Sequence, residues 1–312
     1  MAPASKQRSR PLDAQRRGEA LAAALPPLLV AAERVAATVV QGVHGRRRVG
    51  LGETFWQFRT YEPGDPPQLI DWRQTAKSDR VYVRDLEWEA AQSLWLWSDG
   101  SGSMNWRSVE AAEQKKRRAD VLLLALASLL VRGGERVALL GSGRRPHSGR
   151  DALQRLALAL ERNQGAEQED EGQEDEGLPP RDTLPRHSRV ILFSDFLAPV
   201  DAIEARLRGF AERGVGGHLV QILDPAELSF PFNGRLNFVG LESENSWLLS
   251  RSEAVRGDYL KRMERQRQAL ADLARRLGWR YQLHRTDRSA ESALLSLYQT
   301  IGILPTVRGG GH

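Results

Sequence analysis

Residues 93–104 read SLWLWSDGSGSM, a short apolar run that ends in an acidic residue and continues into small polar ones. The run SLWLWS is typical of a buried β-strand, because it is short, apolar and bounded by a glycine-rich turn. Asp99, Ser101 and Ser103 then alternate with glycines, which permit a tight loop. The stretch therefore predicts a strand with three oxygen-bearing side chains at its carboxyl end.

The sequence after this strand alternates between apolar strands and helices. An apolar helix is predicted over 119–131, preceded by a charged turn, EQKKRRAD, at 113–120. The further predicted strands are 136–140, 188–195, 216–224 and 279–285, and a hairpin is predicted between residues 225 and 250. This alternation predicts an α/β fold, with a doubly wound, mostly parallel sheet covered by helices on both faces.

A second carboxylate follows another predicted strand. SRVILFSD, residues 188–195, is apolar and ends in Asp195. Sites in open parallel sheets lie outside the carboxyl ends of the strands, so Asp99 and Asp195 are expected on one rim. Hydroxyl and carboxylate oxygens are ligands for Mg²⁺, with Mn²⁺ or Ca²⁺ as alternatives.

The alternative interpretation of DGSGS is an Asx-type turn that caps the next helix.

Three segments are predicted along the chain. Residues 1–41 form a basic arm and a helix, which Pro26–Pro27 interrupts. Residues 42–92 mix aromatic, turn and charged residues with short β-strands, and 93–304 form the α/β domain. Within that domain, the composition around AEQEDEGQEDEG predicts a disordered acidic loop at 164–187.

Composition narrows the classes of function. The 312-residue chain has a formal charge of +5 and no cysteine, which excludes disulfides, thiolate metal sites and cysteine nucleophiles. The apolar stretch at 21–32 contains a double proline and is too short to span a bilayer. We therefore expect a cytoplasmic protein without a transmembrane segment.

The segment upstream of the first strand carries a family resemblance. GETFWQFRTYEPGDPPQLIDWRQTAKSDRVYVRDLEWE, residues 52–89, resembles the signature of the DUF58 family, bacterial proteins with a von Willebrand factor type A-like domain. The loop from Asp99 to Ser103 is similar to the metal-ion-dependent adhesion site, MIDAS, of such domains. The matching positions of the signature are Gly52, Phe55, Arg59, Tyr61, Gly64, Asp65, Ile70, Asp71, Trp72, Arg73, Ala76, Val83 and Arg84.

This resemblance implies a metal site. The DGSGS loop matches the first metal loop of the fold, and Asp195 matches the aspartate after the fourth strand. In the wider fold, a threonine from an intervening loop completes the site. This chain has no clear equivalent. The segment after the second predicted strand offers only Ser142 and Ser148, with arginines close by, and Ser148 is the candidate in its place. Two possibilities stay open: a weaker, water-completed magnesium site, or a vestigial one.

The resemblance also implies a role. In this fold the open coordination position receives an acidic residue from a partner, so the metal bridges a protein interface. DUF58-like proteins often accompany MoxR-type AAA+ ATPases, which implies an adaptor of such an ATPase. A hydrolase is not expected, because the nucleophile-elbow pattern G-x-S-x-G is absent and no histidine is linked to a serine in a known motif.

Nucleic-acid binding is the alternative function. It rests on three basic clusters, GRRRVG (45–50), KKRR (115–118) and GRRPHSGR (143–150), together with Trp56, Trp72 and Trp88. The competing interpretation is a solvated basic surface with tryptophans packed inside.

Six signature residues have two possible roles. They form either a second recognition surface or a structural lock, in which Asp65 or Asp71 pairs with an arginine. The six are Arg59, Tyr61, Asp65, Asp71, Trp72 and Arg73.

Overall fold

The structure is a computed structural model. It describes residues 27–43, 54–61, 70–77, 80–87, 92–165, 177–239 and 246–303. Several predictions fall outside these residues: the N-terminal arm, the basic stretch 45–50, Asp65, Trp88 and the acidic tract 166–176.

The described residues form strands and helices that alternate along the chain. The strands are β1 (Thr54–Thr60), β2 (Tyr82–Glu87), β3 (Ser93–Ser98), β4 (Arg136–Leu139), β5 (Arg189–Ser194), β6 (Gly216–Leu223), β7 (Leu236–Val239), β8 (Ser246–Leu249) and β9 (Arg280–Arg285). The helices are α1 (Pro27–Val43), α2 (Trp72–Thr75), α3 (Lys115–Arg132), α4 (Arg150–Gly165), α5 (Val200–Ala211), α6 (Pro225–Ser229), α7 (Glu253–Arg276) and α8 (Ala290–Ile303).

A five-stranded parallel sheet is the centre of the fold. Its strand order is β4-β3-β5-β6-β9. One face packs against α1, α3, α4 and α8, and the other against α5 and α7. The predicted α/β class, with a parallel sheet and helices on both faces, is confirmed.

Helix α3 begins earlier than the sequence predicts. Residues 115–118 were expected in a charged turn, but they form its first turn, and Lys115, Lys116 and Arg118 are buried there. Buried charges are tolerated where they are paired, and these three make internal ion pairs. The prediction of a charged turn at 115–118 is therefore wrong, because most of these charged side chains are buried in ion pairs.

Helix α1 is part of the main core. Pro27 is its first residue, a position that suits proline because the missing N–H would have no helical partner. Its apolar face joins the core cluster that contains α3, through Leu28, Leu29, Ala32, Val35, Ala36 and Val39. The helix assigned to the N-terminal segment thus completes one face of the α/β domain.

In the part of the chain that the structure describes, two antiparallel strand pairs lie outside the central sheet. Strands β1 and β2 pair within the signature segment. Strands β7 and β8 pair as the hairpin predicted between residues 225 and 250. Among the residues that the structure describes, no helix has the length and apolar character needed to cross a membrane.

Candidate cation site at the carboxyl end of the sheet

Asp99 and Asp195 lie at the same edge of the sheet, as the strand pattern predicts. They follow β3 and β5, which are parallel neighbours paired through Ser98 and Phe193. The backbone N–H of Asp99 donates to the carbonyl of Phe193 at 2.9 Å, so the pairing continues to the carboxylate itself. Asp99 is 1 % exposed and Asp195 is 2 % exposed. Two carboxylates are therefore buried together at this rim.

The carboxylate of Asp99 is held by the loop that follows it and by the neighbouring strand. Its Oδ1 accepts the backbone N–H of Ser101 at 2.8 Å. Its Oδ2 accepts the hydroxyl of Ser194 at 2.6 Å. Sequence reasoning missed Ser194, although its place directly before Asp195 at the end of a strand put it on the same rim.

The two loop serines connect Asp99 to Asp195. Ser103 Oγ donates to Asp195 Oδ2 at 2.7 Å, and the hydroxyls of Ser101 and Ser103 are 3.2 Å apart. The four predicted side chains thus form one hydrogen-bonded group. We call this group the rim cluster: Asp99, Ser101, Ser103 and Asp195.

A buried lysine contacts the rim cluster. Lys115 Nζ lies 2.8 Å from Asp195 Oδ2 and 2.6 Å from Glu227 Oε1, and the lysine side chain is 1 % exposed. Burial lowers the pKa of Lys115, but the carboxylates of Asp195 and Glu227 more than offset this, so the pKa lies above its ordinary value. Lys115 is therefore an ammonium at neutral pH. Sequence reasoning missed both Lys115 and Glu227.

Glu227 is fixed by the start of α6. Its Oε2 accepts the backbone N–H of Asp224 at 2.8 Å, and Asp224 Oδ1 accepts the N–H of Ala226, which makes a capping box. Asp224 Oδ2 also accepts the N–H of Ser108 at 2.8 Å. These bonds join the loops after β3 and β6 and aim Glu227 at Lys115.

The cluster is short of positive charge. Three carboxylates, of Asp99, Asp195 and Glu227, and the one ammonium of Lys115 give a formal charge of −2 when all are ionised. Burial, and then the charge of Asp195, raise the pKa of Asp99 to about 6, although hydrogen bonds from Ser194 and Ser101 oppose the rise. A proton or a further cation at this rim would relieve the repulsion.

Gly177 lies over the rim cluster. Its φ of +73° is in the left-handed region that glycine adopts readily, and a Cβ there would lie 3.8 Å from Asp99 Oδ2 and Ser101 Oγ. Residues 177–187, which the sequence assigns to the acidic loop, continue along the protein with Pro179 and Leu184 buried. The end of this loop therefore packs beside the carboxylates.

The donor set of the rim cluster fits a hard divalent cation. Carboxylate and hydroxyl oxygens are the ligands that Mg²⁺ and Ca²⁺ take, and the negative charge favours a cation. Lys115 is the competing charge, since it already contacts one oxygen of Asp195. Across the described residues, no three histidine, aspartate or glutamate side chains group as metal ligands, so a cation here would depend on the serines as well.

Residues 57–269 match the family described as protein of unknown function DUF58. The match covers more than half of the chain. The chain belongs to the DUF58 family. Uncharacterized proteins of Mycobacterium tuberculosis and Mycobacterium bovis are 27 % identical to this DUF58 protein over 278 residues, which is 86 % of each chain.

Two solved structures show weaker similarity to this DUF58 protein. A conserved hypothetical protein, BatB, from Bacteroides thetaiotaomicron is 13 % identical with a TM-score of 0.36, over 68 % of this chain and 98 % of that one. An uncharacterized membrane spanning protein from Vibrio fischeri is 16 % identical with a TM-score of 0.15, over 69 % and 99 % of the two chains. At these scores neither similarity bears on function.

Ser148, the proposed substitute for the missing threonine, lies elsewhere in this DUF58 protein. His147 forms an antiparallel bridge with Val137, which pairs with Leu94 near the amino end of β3. The chain after β4 has thus turned back along that strand, and it carries the exposed Ser148 away from the carboxyl end. The structure does not bring Ser148 to the rim cluster.

In the DUF58 signature segment, Asp71 has a structural role. It caps α2, since its Oδ1 accepts the N–H of Gln74 at 2.9 Å, and its own N–H donates to Tyr82 O at 2.9 Å. Trp72 and Arg73 are exposed, Trp72 to 68 %. The interpretation that the tryptophans pack inside the protein is therefore wrong for Trp72.

The strand residues of the signature hold the antiparallel β1–β2 pair together through the backbone. Arg59 pairs with Val83, and the N–H of Tyr61 donates to Val81 O at 2.8 Å. Asp65 lies outside the described residues.

The basic cluster KKRR is mostly internal. Lys116 pairs with the buried Asp120 at 2.6 Å, and Arg118 pairs with Glu113 at 2.5 Å. Arg118 also lies 3.0 Å from His284 Nε2. With Lys115 buried as well, only Arg117 of the four is largely exposed, so this cluster does not present a basic surface.

Proposed function

We propose that this DUF58 protein is a non-enzymatic interaction module that binds a partner protein through a divalent cation at the rim cluster. The observation that carries the proposal is the buried pair Asp99 and Asp195, which serine hydroxyls join. Among the residues that the structure describes, Lys115 is the one ammonium in contact with this pair. A divalent cation supplies the charge that this pair lacks. The raised pKa of Asp99 supports the same conclusion.

The side chains of the rim cluster would hold the cation, and Gly177 leaves space beside Asp99 and Ser101. When bound, the cation would offer a coordination position to a carboxylate of the partner. Leu197, two residues after Asp195, is 42 % exposed and provides an apolar contact next to this position. An acidic residue flanked by apolar ones is the partner chemistry that these features favour.

The contacts of the serines support binding rather than catalysis. Ser103 donates to Asp195, and the nearby Lys115 is an ammonium that cannot accept a proton. His284 is bonded to Arg118 instead of a serine. Burial, and then the charge of Arg280, lower the pKa of His218 to about 4, and neither ring nitrogen of His218 has a hydrogen-bond partner within the described chain. We therefore propose that the protein has no hydrolytic activity.

The partner we propose is a MoxR-type AAA+ ATPase, on the basis of the family resemblance. The test is capture of that ATPase by tagged wild-type protein and by Asp99→Ala, each in Mg²⁺ and in EDTA. We expect the wild type to capture the ATPase in Mg²⁺ but not in EDTA, and Asp99→Ala to capture it in neither condition. The matched control is Asp151→Ala, which removes an exposed aspartate of α4 and should behave as wild type. Equal capture in all conditions would overturn the cation-dependent role.

Nucleic-acid binding is the weaker candidate, because most of the KKRR cluster is turned inward. It predicts a shift of DNA or RNA at about 50 mM salt that is lost steeply as salt rises. Absence of any shift at that salt would remove this candidate.

A further inference from the structure

We infer that Lys115 is the resident cation of the rim cluster and that it sets the affinity of the site for divalent ions. The inference rests on the proposed function, because it concerns the same site. It assigns opposite roles to two residues: Lys115 opposes entry of a divalent ion, and Glu227 favours it.

Lys115 opposes entry of a divalent ion because of the contacts that Asp195 Oδ2 makes. Asp195 Oδ2 accepts both the ammonium of Lys115 at 2.8 Å and the hydroxyl of Ser103 at 2.7 Å. Both donors therefore share one carboxylate oxygen. A divalent ion that uses Asp195 meets the positive charge of Lys115 at contact distance, and like charges repel strongly where water is excluded. Lys115 and the ion therefore compete for Asp195.

The favourable role of Glu227 follows from its own contact with the ammonium of Lys115. Glu227 Oε1 is 2.6 Å from Lys115 Nζ, and the capping box of α6 holds Glu227 in place. If the ammonium gives up Asp195, it keeps this second partner. A buried ammonium without any partner is very unfavourable, so the second partner makes the release feasible. Glu227 thus lowers the cost of admitting a divalent ion.

The formal charges agree with this assignment. With Lys115 present the group of three carboxylates and one ammonium carries −2, which one divalent ion neutralises. Removal of the ammonium alone leaves −3. Removal of Lys115 and neutralisation of Glu227 together restore −2 and also free Asp195 Oδ2. The double variant therefore separates competition at Asp195 from a change in total charge.

The test is calorimetric titration of Mn²⁺ into the full-length wild type, Lys115→Met, Glu227→Gln and the double variant, each first checked for folding by circular dichroism. We expect Lys115→Met and the double variant to bind Mn²⁺ about tenfold more tightly than the wild type or better. We expect Glu227→Gln to bind several-fold more weakly. Because the double variant removes both members of the ion pair, it keeps the test valid if Lys115→Met alone does not fold.

The outcomes separate this inference from the proposed function. Binding by the wild type with unchanged affinity in the double variant overturns the role of Lys115 and leaves the proposed function in place. Binding only in the variants without Lys115 supports the inference and overturns cation-dependent function in the native chain. No binding in any of the four proteins overturns both. Wild-type or higher affinity in Glu227→Gln overturns the role of Glu227.

Discussion

The ammonium of Lys115 lies 2.8 Å from Oδ2 of Asp195, although 80 positions separate the two residues in the chain. The contact joins the first turn of α3 to the loop after β5. Glu227 extends it to α6, 112 positions from Lys115. Three elements at the carboxyl end of the sheet, namely α3, the loop after β5 and α6, are thus joined by the buried ammonium of Lys115.

Asp99 should make metal-free stability depend on pH. Its pKa is raised from an ordinary 3.8 to about 6 in the folded protein, so the folded state binds a proton more tightly than the unfolded state. The resulting penalty is fully present above about pH 6 and disappears as pH falls through about 4. Asp99→Asn should therefore be more stable than wild type at pH 7.5 by about 3 kcal/mol, with the difference closing near pH 4.

Urea unfolding in EDTA at several pH values measures this difference. Asp201→Asn, which alters an exposed aspartate of α5, is the matched control and should show little change. An Asp99→Asn variant that is less stable than wild type at pH 7.5 would contradict the assignment of charge repulsion at the rim.

Lys116 should be needed for stability, unlike its neighbour Arg117. Lys116→Met leaves the carboxylate of Asp120, which is 0 % exposed, without its ammonium, and should lower the free energy of unfolding by about 3 kcal/mol. Arg117 is 52 % exposed in its side chain, and Arg117→Ala should cost less than about 1 kcal/mol. Urea unfolding of both variants checks this, and equal losses would show that the two basic residues are equivalent.

Gly217 should tolerate no side chain. A Cβ at this position would lie 2.0 Å from ring atoms of Trp279, which is buried and donates its indole N–H to Val215 O. Gly217→Ala should therefore destabilise the protein by about 3 kcal/mol or more. Gly216→Ala is the neighbouring control, since its Cβ would make only an ordinary 3.8 Å contact with Arg189. Thermal unfolding compares them, and a Gly217→Ala protein as stable as Gly216→Ala would disprove the close packing.

Asp71 and Trp72 should differ in their effect on local structure. Asp71→Ala removes the acceptor of the Gln74 N–H, and a lost cap of about 1 kcal/mol predicts roughly fivefold faster amide exchange at Gln74. Trp72→Ala alters an exposed side chain and should leave that rate nearly unchanged. Hydrogen exchange followed by NMR gives both rates. Unchanged exchange in Asp71→Ala would count against the capping role.

The carboxylates at the strand ends were predictable because each follows a short apolar pattern that can be recognised within a few residues of sequence. SLWLWSD and SRVILFSD each place a carboxylate directly after a buried strand, and parallel pairing of β3 with β5 brings those ends together. The DGSGS spacing then placed both serines beside Asp99. The fold class and four side chains of the site follow from these short patterns.

The partners of Lys115 were not predictable in the same way. A KKRR run is usually a solvated surface, and nothing in its spacing identifies Asp195 or Glu227 as partners far along the chain. The position of Ser148 was not predictable for a related reason. Sequence order does not show that the chain turns back along β4 and carries Ser148 away from the rim cluster. Long-range pairing and chain direction have to come from the three-dimensional structure.

Cation binding at the rim cluster can be measured by calorimetric titration of Mn²⁺ into metal-free protein at pH 7.5, with wild type, Asp99→Ala and Asp151→Ala compared. We expect one saturable site in the wild type and in Asp151→Ala, and loss of that site in Asp99→Ala. Equal heats of binding in wild type and Asp99→Ala, or no binding by the wild type, would contradict this expectation.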